Sequence, residues 1–171
     1  HRKAIAAADE GRFAAELVPV PVRDRKGRVT TVMADESPRR DTSLEALAAL
    51  KPAFVADGRV TAGNAPGLND AAAALVIASA AEAAEIGVQP LAHIVGYTQV
   101  ALDPKHIFAA PAEAITRLLA RVGWTLAEVD LIELNEAFAA QVLANGRALA
   151  DSGWNWDNVN VNGGAIALGH P

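Results

Sequence analysis

Residues 129–162 read VDLIEL-NEAFAAQVLANGRALA-DSGWNWDN-VNVN and decide the fold. Val129–Leu134 is short, apolar and β-branched, which suits a strand. Glu136–Ala150 has helical spacing, and Gly153 stands past its end as a stop. Val159–Asn162 is apolar on alternate positions, and Gly163-Gly164 breaks it. The order strand, helix, strand predicts a βαβ unit with parallel strands and a right-handed crossover. Working outward toward the N-terminus, Pro111 opens a helix with Ala112, Ile115, Leu118, Leu119 and Val122 on one stripe, ended by Gly123. Leu91–Ala101 is apolar enough for a further strand. From Leu91 onward the pattern is therefore β-α-β-α-β, an α/β arrangement with a parallel sheet covered by helices.

Asn69-Asp70 carries an N-cap signal, and Gly87 suits the position just past a helix end. The eleven residues after Asp70 bear no charge. Asp70–Ile86 is therefore expected to be a helix buried on most sides. The first third is loop-rich. Residues 2–8 suit a short Ala-rich helix, and Leu17–Val22 an edge strand. Arg23–Arg28 suits a charged turn, Val29–Met33 the returning strand, and Ser43–Leu50 a short helix closed by Pro52.

Composition narrows the function classes. The 171 residues are 51% hydrophobic and carry a net charge of −5. That is enough apolar material for a core, which excludes disorder of the whole. Residues 1–40 hold nine Lys and Arg against six Asp and Glu, while residues 41–171 hold six against fourteen. An acidic chain with one mildly basic segment is not patterned as a nucleic-acid binder. The basic segment suits either a solvated loop or contact with a phosphorylated small molecule. The longest uncharged apolar run, Ala71–Ala81, is short of the roughly 20 residues that span a bilayer, so no membrane insertion is expected. No signal-peptide pattern occurs, and a cytoplasmic location is expected. The beginning at His1 and the end at Pro171 suggest an interior stretch of a longer protein, which leaves organellar targeting open. There is no cysteine, so no thiol nucleophile or cysteine metal site lies within these residues. The four histidines show no metal-ligand spacing, so no metal is expected. GGAIALGH lacks both the GK[ST] of a P-loop and the spacing of GxGxxG.

Ligands of parallel sheets bind outside the carboxyl ends of the strands. Asn135 follows one predicted strand and Asn162-Gly163-Gly164 the next, with His170 a few residues beyond. Position alone reads Asn135 as a helix N-cap, the glycines as turn formers and His170 as structural. Arg39-Arg40 beside Glu36 and Asp41 reads as a local ion-pair cluster.

Three stretches go beyond generic pattern. NEAFAAQ (Asn135–Gln141), NVNGGAIALGHP (Asn160–Pro171) and AGNAPGLND (Ala62–Asp70) together resemble the thiolase family, in the family's order and close to its spacing. The resemblance implies the layered α-β-α-β-α thiolase fold. Residues 1–67 would belong to the inserted loop domain, 68–90 to the end of the N-terminal half and 91–171 to the start of the C-terminal half. It implies acyl transfer to or from coenzyme A through an acyl-cysteine, with both cysteines outside these residues. CoA would be a substrate, with no permanently bound cofactor, and the complete protein a homodimer or homotetramer. His170 matches the family's catalytic histidine and Asn135 its water-holding asparagine, together forming an oxyanion hole. Arg39 would meet the nucleotide phosphate. Phe54, Ala62 and Leu68 would line the adenine and pantetheine groove, and Ala137 and Phe138 would press on its inner end. Pro66 departs from the family, which has a serine there whose hydroxyl bonds the pantetheine amide. Asp151–Asp157 is slightly longer than usual. A non-catalytic thiolase-like protein that binds acyl-CoA or lipid is the alternative. A nucleotide-binding α/β module, suggested only by the Gly-rich turn, is a weaker one.

Overall fold

The computed structural model describes residues 1–171. Helix α1 spans Arg2–Asp9 and buries Ala4 and Ala7. Strands β1 (Val20–Arg23) and β2 (Val29–Val32) form an antiparallel hairpin with Val20 opposite Val32. Its turn is held by Asp24, whose carboxylate accepts from the backbone N–H groups of Lys26 and Arg28 and from the Arg28 side chain. The Arg28 side-chain bond, then its backbone N–H, holds the Asp24 carboxyl below the ordinary aspartate range. Helix α2 (Leu44–Ala48) is capped by the Ser43 hydroxyl, which accepts from Ala46 N–H. These elements match the sequence expectations because their signals are local.

Helix α4 (Ala110–Val122) and helix α5 (Ala139–Ala148) carry the packed part of the chain, with helix α3 (Ala80–Glu85) preceding them and helix α6 (Ala165–Leu168) closing it. Ala112, Leu126 and Leu149 form the buried cluster, with Ile115, Leu119, Val129, Ile132 and Trp154 against it. Gly123 ends α4 in the left-handed conformation, φ 74°, and its N–H donates to Leu119 O. Asn145, 1% exposed, ties the two helices together. Its Oδ1 accepts from Ala112 N–H at 2.7 Å, and its Nδ2 donates to Phe108 O and Gln141 O at 2.8 and 2.7 Å. An α-helix leaves its first N–H groups without intrahelical partners. Helix α4 has no side-chain cap of its own, so Asn145 supplies one from across the interface.

Four expectations are corrected. Asp70–Ile86 is not one buried helix. Residues 70–79 are non-helical, and only Ala80–Glu85 is helical, capped by the Ser79 hydroxyl accepting from Glu82 N–H. β-Branched Val76 and Ile77 disfavour helix, and Ser79 with Glu82 three residues on is the true start signal. Leu75, Val76 and Ile77 are exposed. Leu91–Ala101 is likewise without a strand partner, with Leu91, Ile94, Val95 and Tyr97 exposed. Neither 71–78 nor 91–102 makes a backbone–backbone hydrogen bond. The predicted parallel sheet is reduced to one isolated bridge, Ile132 with Val159. A central parallel strand needs neighbours on both sides, and these residues do not supply them. Finally, α5 begins at Ala139 rather than Glu136, with Phe138 at its N-cap position.

Candidate active site

The Ile132–Val159 bridge brings two loop segments side by side. Ile132 N–H donates to Asn158 O, and Asn160 N–H donates to Ile132 O, each at 2.9 Å. The chain then turns at Asn160, which is 4% exposed with φ 46°. Asparagine tolerates this left-handed region better than bulkier residues. Its side chain continues the ladder in place of backbone. Oδ1 accepts from Leu134 N–H at 2.8 Å, and Nδ2 donates to Leu134 O at 2.9 Å. Asn160 Nδ2 also donates to Glu136 Oε1 at 3.0 Å, and Glu136 Oε2 accepts from Ile166 N–H at 3.0 Å.

The turn is braced from behind by α1 and by the turn that follows it. Lys3 Nζ donates to Val159 O at 2.7 Å, and Arg12 Nη1 donates to Asn162 Oδ1 at 3.1 Å. Gly163 has φ 91°, and a Cβ there would lie 2.6 Å from Ala4 Cβ. Two independent constraints, conformation and space, thus require glycine at 163. A Cβ on Gly164 would overlap the Glu136 carboxylate.

These contacts flank the two side chains that the motif resemblance singled out. Asn135 Nδ2 stands 3.1 Å from His170 Nε2. Asn135 is exposed and His170 half-buried. Asn135 does not cap a helix, since α5 starts four residues later. Backbone N–H of His170 donates to Asn69 Oδ1 at 3.3 Å, and Leu68 pairs with His170 in a parallel bridge. The two nitrogens are in direct hydrogen-bond contact, and one oxygen atom placed to the side of the pair lies within reach of both. A cavity of about 500 Å³ adjoins the site, lined by Glu136, Asn160, Gly163 and Gly164 opposite His1 and Leu47. Neither Asn135 nor His170 lines it.

The other predicted residues are distributed unevenly. Leu68 is next to His170 in the bridge and fully exposed. Ala62 is exposed in the AGNAPG loop. This loop abuts the start of α5, where Ala139 N–H donates to Asn64 O at 2.9 Å. Ala137 and Phe138 are half-buried there, and Phe138 meets Phe108 edge to face at 5.4 Å. Phe54 is 77% exposed. Arg39 is exposed and makes no ion pair, its backbone N–H donating to His1 Nδ1. No hydrogen bond joins Arg39 or Phe54 to the Asn135–His170 pair. Arg40 is not in a local cluster with Glu36 and Asp41. It grips Asp9 of α1 bidentately, at 2.9 and 2.5 Å, and this bond holds the Asp9 carboxyl below its ordinary range. Sequence reasoning missed Asn69, Glu136 and Asn160. Asn69 read as a helix cap, Glu136 as the start of a helix, and Asn160 as an ordinary polar position of an alternating strand. No group of three or more His, Asp or Glu side chains gathers to hold a metal ion.

Two polar side chains brought together beyond a parallel bridge between two segments define a class, an α/β protein with polar residues gathered past the paired segments. The model of the thiolase N-terminal domain matches residues 1–81, and that of the thiolase C-terminal domain matches residues 88–171. The chain belongs to the thiolase family. It is 54% identical over 170 residues to an acetyl-CoA acetyltransferase of Pseudomonas aeruginosa, covering 99% of this chain and 42% of that relative. It is 52% identical over 170 residues to a probable acetyl-CoA acetyltransferase of Escherichia coli, with the same coverage. The crystal structure of Bacillus anthracis acetyl-CoA acetyltransferase superposes with a TM-score of 0.89 at 47% identity, over 100% of this chain and 42% of that one. Human mitochondrial 3-ketoacyl-CoA thiolase gives 0.88 at 44% identity, over 99% and 42%. The thiolase fold is thus present, and the chain spans less than half the length of these relatives. No helix is long and apolar enough to cross a membrane.

Proposed function

We propose that this chain supplies part of the active site of an acyl-CoA C-acyltransferase of thiolase type. Such an enzyme cleaves a 3-oxoacyl-CoA with CoA, or in reverse joins two acyl-CoA molecules by Claisen condensation. The observation that carries the proposal is the 3.1 Å approach of Asn135 Nδ2 to His170 Nε2. The names of the relatives, acetyl-CoA acetyltransferases and a 3-ketoacyl-CoA thiolase, support the same reaction.

The chemistry follows from the residue types. Cleavage begins when a cysteine thiol, supplied from outside these 171 residues, loses its proton to a base and attacks the 3-oxo carbon as thiolate. His170 is the residue here able to take that proton. The C2–C3 bond breaks, C3 stays on sulfur as the acyl-enzyme, and the electron pair passes to an enolate of acyl-CoA. The enolate is protonated at C2 by a second external thiol, and CoA then takes the acyl group from sulfur. The negative charge on the thioester oxygen during the enolate stage is met by His170 and by the Asn135 amide acting through a water. Preorganised donors at such an oxygen cost no reorganisation when the charge appears, and removing one typically costs about 2.7–4 kcal/mol.

Arg39, Leu68, Ala62, Phe54, Ala137 and Phe138 form the CoA-facing side, with CoA as substrate and no resident cofactor. The free guanidinium of Arg39 supports a phosphate contact. Residues 1–67 serve as part of a loop domain, 68–90 close the first thiolase half and 91–171 open the second. The active unit is a homodimer or homotetramer located in the cytoplasm. The test is thiolysis of acetoacetyl-CoA by the protein expressed from its complete reading frame. Asn135→Ala is expected to lower kcat by about 10²–10³-fold, and His170→Ala to prevent acyl-enzyme formation. Either variant within threefold of the parent would overturn the proposal.

A further inference from the structure

Asn135 and His170 sit on segments 35 residues apart, so something must hold their spacing. The backbone bridge at Ile132–Val159 ends before either is reached. Beyond it, the connection between the two segments runs through side chains. Asn160 reaches back to both backbone groups of Leu134, the residue before Asn135. Glu136, the residue after Asn135, reaches forward to Asn160 Nδ2 with one oxygen and to Ile166 N–H with the other. Ile166 belongs to α6, the single turn that leads into His170. Asn135 is thus flanked on both sides by residues tied to the His170 segment. The carboxylate enters no ion pair. Both its oxygens face N–H donors, and glycine at 164 leaves space for it.

We infer that Glu136 is a positioning residue. Its carboxylate, acting with Asn160, sets the distance between the Asn135 amide and the His170 imidazole, without itself touching substrate. The inference rests on the proposed oxyanion-binding role of that pair. Glutamate suits the task because it offers two acceptor oxygens to two donors. Glutamine has one carbonyl oxygen, and its NH₂ would face either Asn160 Nδ2 or Ile166 N–H, donor against donor. One tie is lost while size is kept. A misplacement near 1 Å in a catalytic constellation can cost about 10²-fold in rate.

The experiment measures acetoacetyl-CoA thiolysis by the protein from its complete reading frame, with Glu136→Gln, Asn135→Ala and the double variant. Glu136→Gln is expected to lower kcat about 10- to 100-fold while KM for CoA stays within about twofold. In the Asn135→Ala background the same substitution is expected to change kcat far less, because the spacing it guards has lost one of its members. Full kcat in Glu136→Gln alongside an impaired Asn135→Ala, or effects that simply multiply in the double variant, overturns the inference. Full kcat in Asn135→Ala instead removes the oxyanion reading, and the inference falls with it. Asn160→Ser, which cuts the other tie, carries the same cycle if Glu136→Gln does not fold, and is judged by the same outcomes.

Discussion

Replacing Asn145 by Ala removes three hydrogen bonds at a site with 1% exposure. The first is the cap on Ala112 N–H at 2.7 Å; losing a helix cap costs about 1 kcal/mol. The Nδ2 bonds to Phe108 O and Gln141 O contribute about 1 kcal/mol each. Alanine is the better helix former in the middle of α5, which returns about 0.7 kcal/mol at most. The net loss is therefore about 2 kcal/mol. With a urea dependence of about 2 kcal/mol per molar or more, since the slope grows with chain size, the unfolding midpoint should fall by up to about 1 M. The assay is urea denaturation of the protein from its complete reading frame, followed by tryptophan fluorescence. Asn155→Ala is the control. Asn155 is exposed and bonds only within its own turn, to Asp157 N–H and Asn158. A midpoint shift for Asn145→Ala no larger than the control's would refute the claim that α4 is capped from α5.

Three further outcomes are expected. Asp9→Asn breaks the Arg40 clamp on α1. Because that bond lowers the Asp9 pKa, its contribution is complete above the ordinary aspartate value of about 4 and is lost as pH falls through the depressed folded value. Parent and variant stabilities should therefore converge in acid and with added salt, and a pH-independent gap in urea midpoints would contradict it. Gly163→Ala should lower stability by about 2 kcal/mol, from the left-handed backbone and from collision with Ala4; an unshifted melting temperature would remove the argument. Pro66 has neither a hydroxyl nor an N–H to offer a pantetheine amide, so Pro66→Ser should lower KM for CoA in the complete enzyme, and an unchanged KM would remove the idea.

Much of the helical architecture was legible because its signals lie within a few residues. The apolar stripe of α4, the stop at Gly123 and the hairpin around Asp24 and Gly27 all depend on neighbours in the chain. The parallel strands were illegible as structure for the opposite reason. Leu91–Ala101 and Val129–Leu134 have strand composition, but a strand exists only when another backbone lies beside it. Asp70–Ile86 misled through its alanines, which favour helix, while Val76, Ile77 and the Ser79 cap carried the opposite signal. At the site, Asn135 and His170 were found through motif resemblance, not through spacing, and the structure brings their side chains within hydrogen-bonding distance. The tie between Glu136 and Asn160 spans 24 residues and left no local trace, because it depends on how two loops meet.

The two stretches 71–78 and 91–102 present rows of amide and carbonyl groups with no backbone partner, beside exposed Leu75, Val76, Ile94 and Val95. Uncovered ribbon of this kind is a template for any other extended polypeptide. Within 71–78 there is no charged side chain to discourage such pairing. Handled alone at high concentration, the chain's first encounter partner is another copy of itself, and keeping it dispersed calls for dilution.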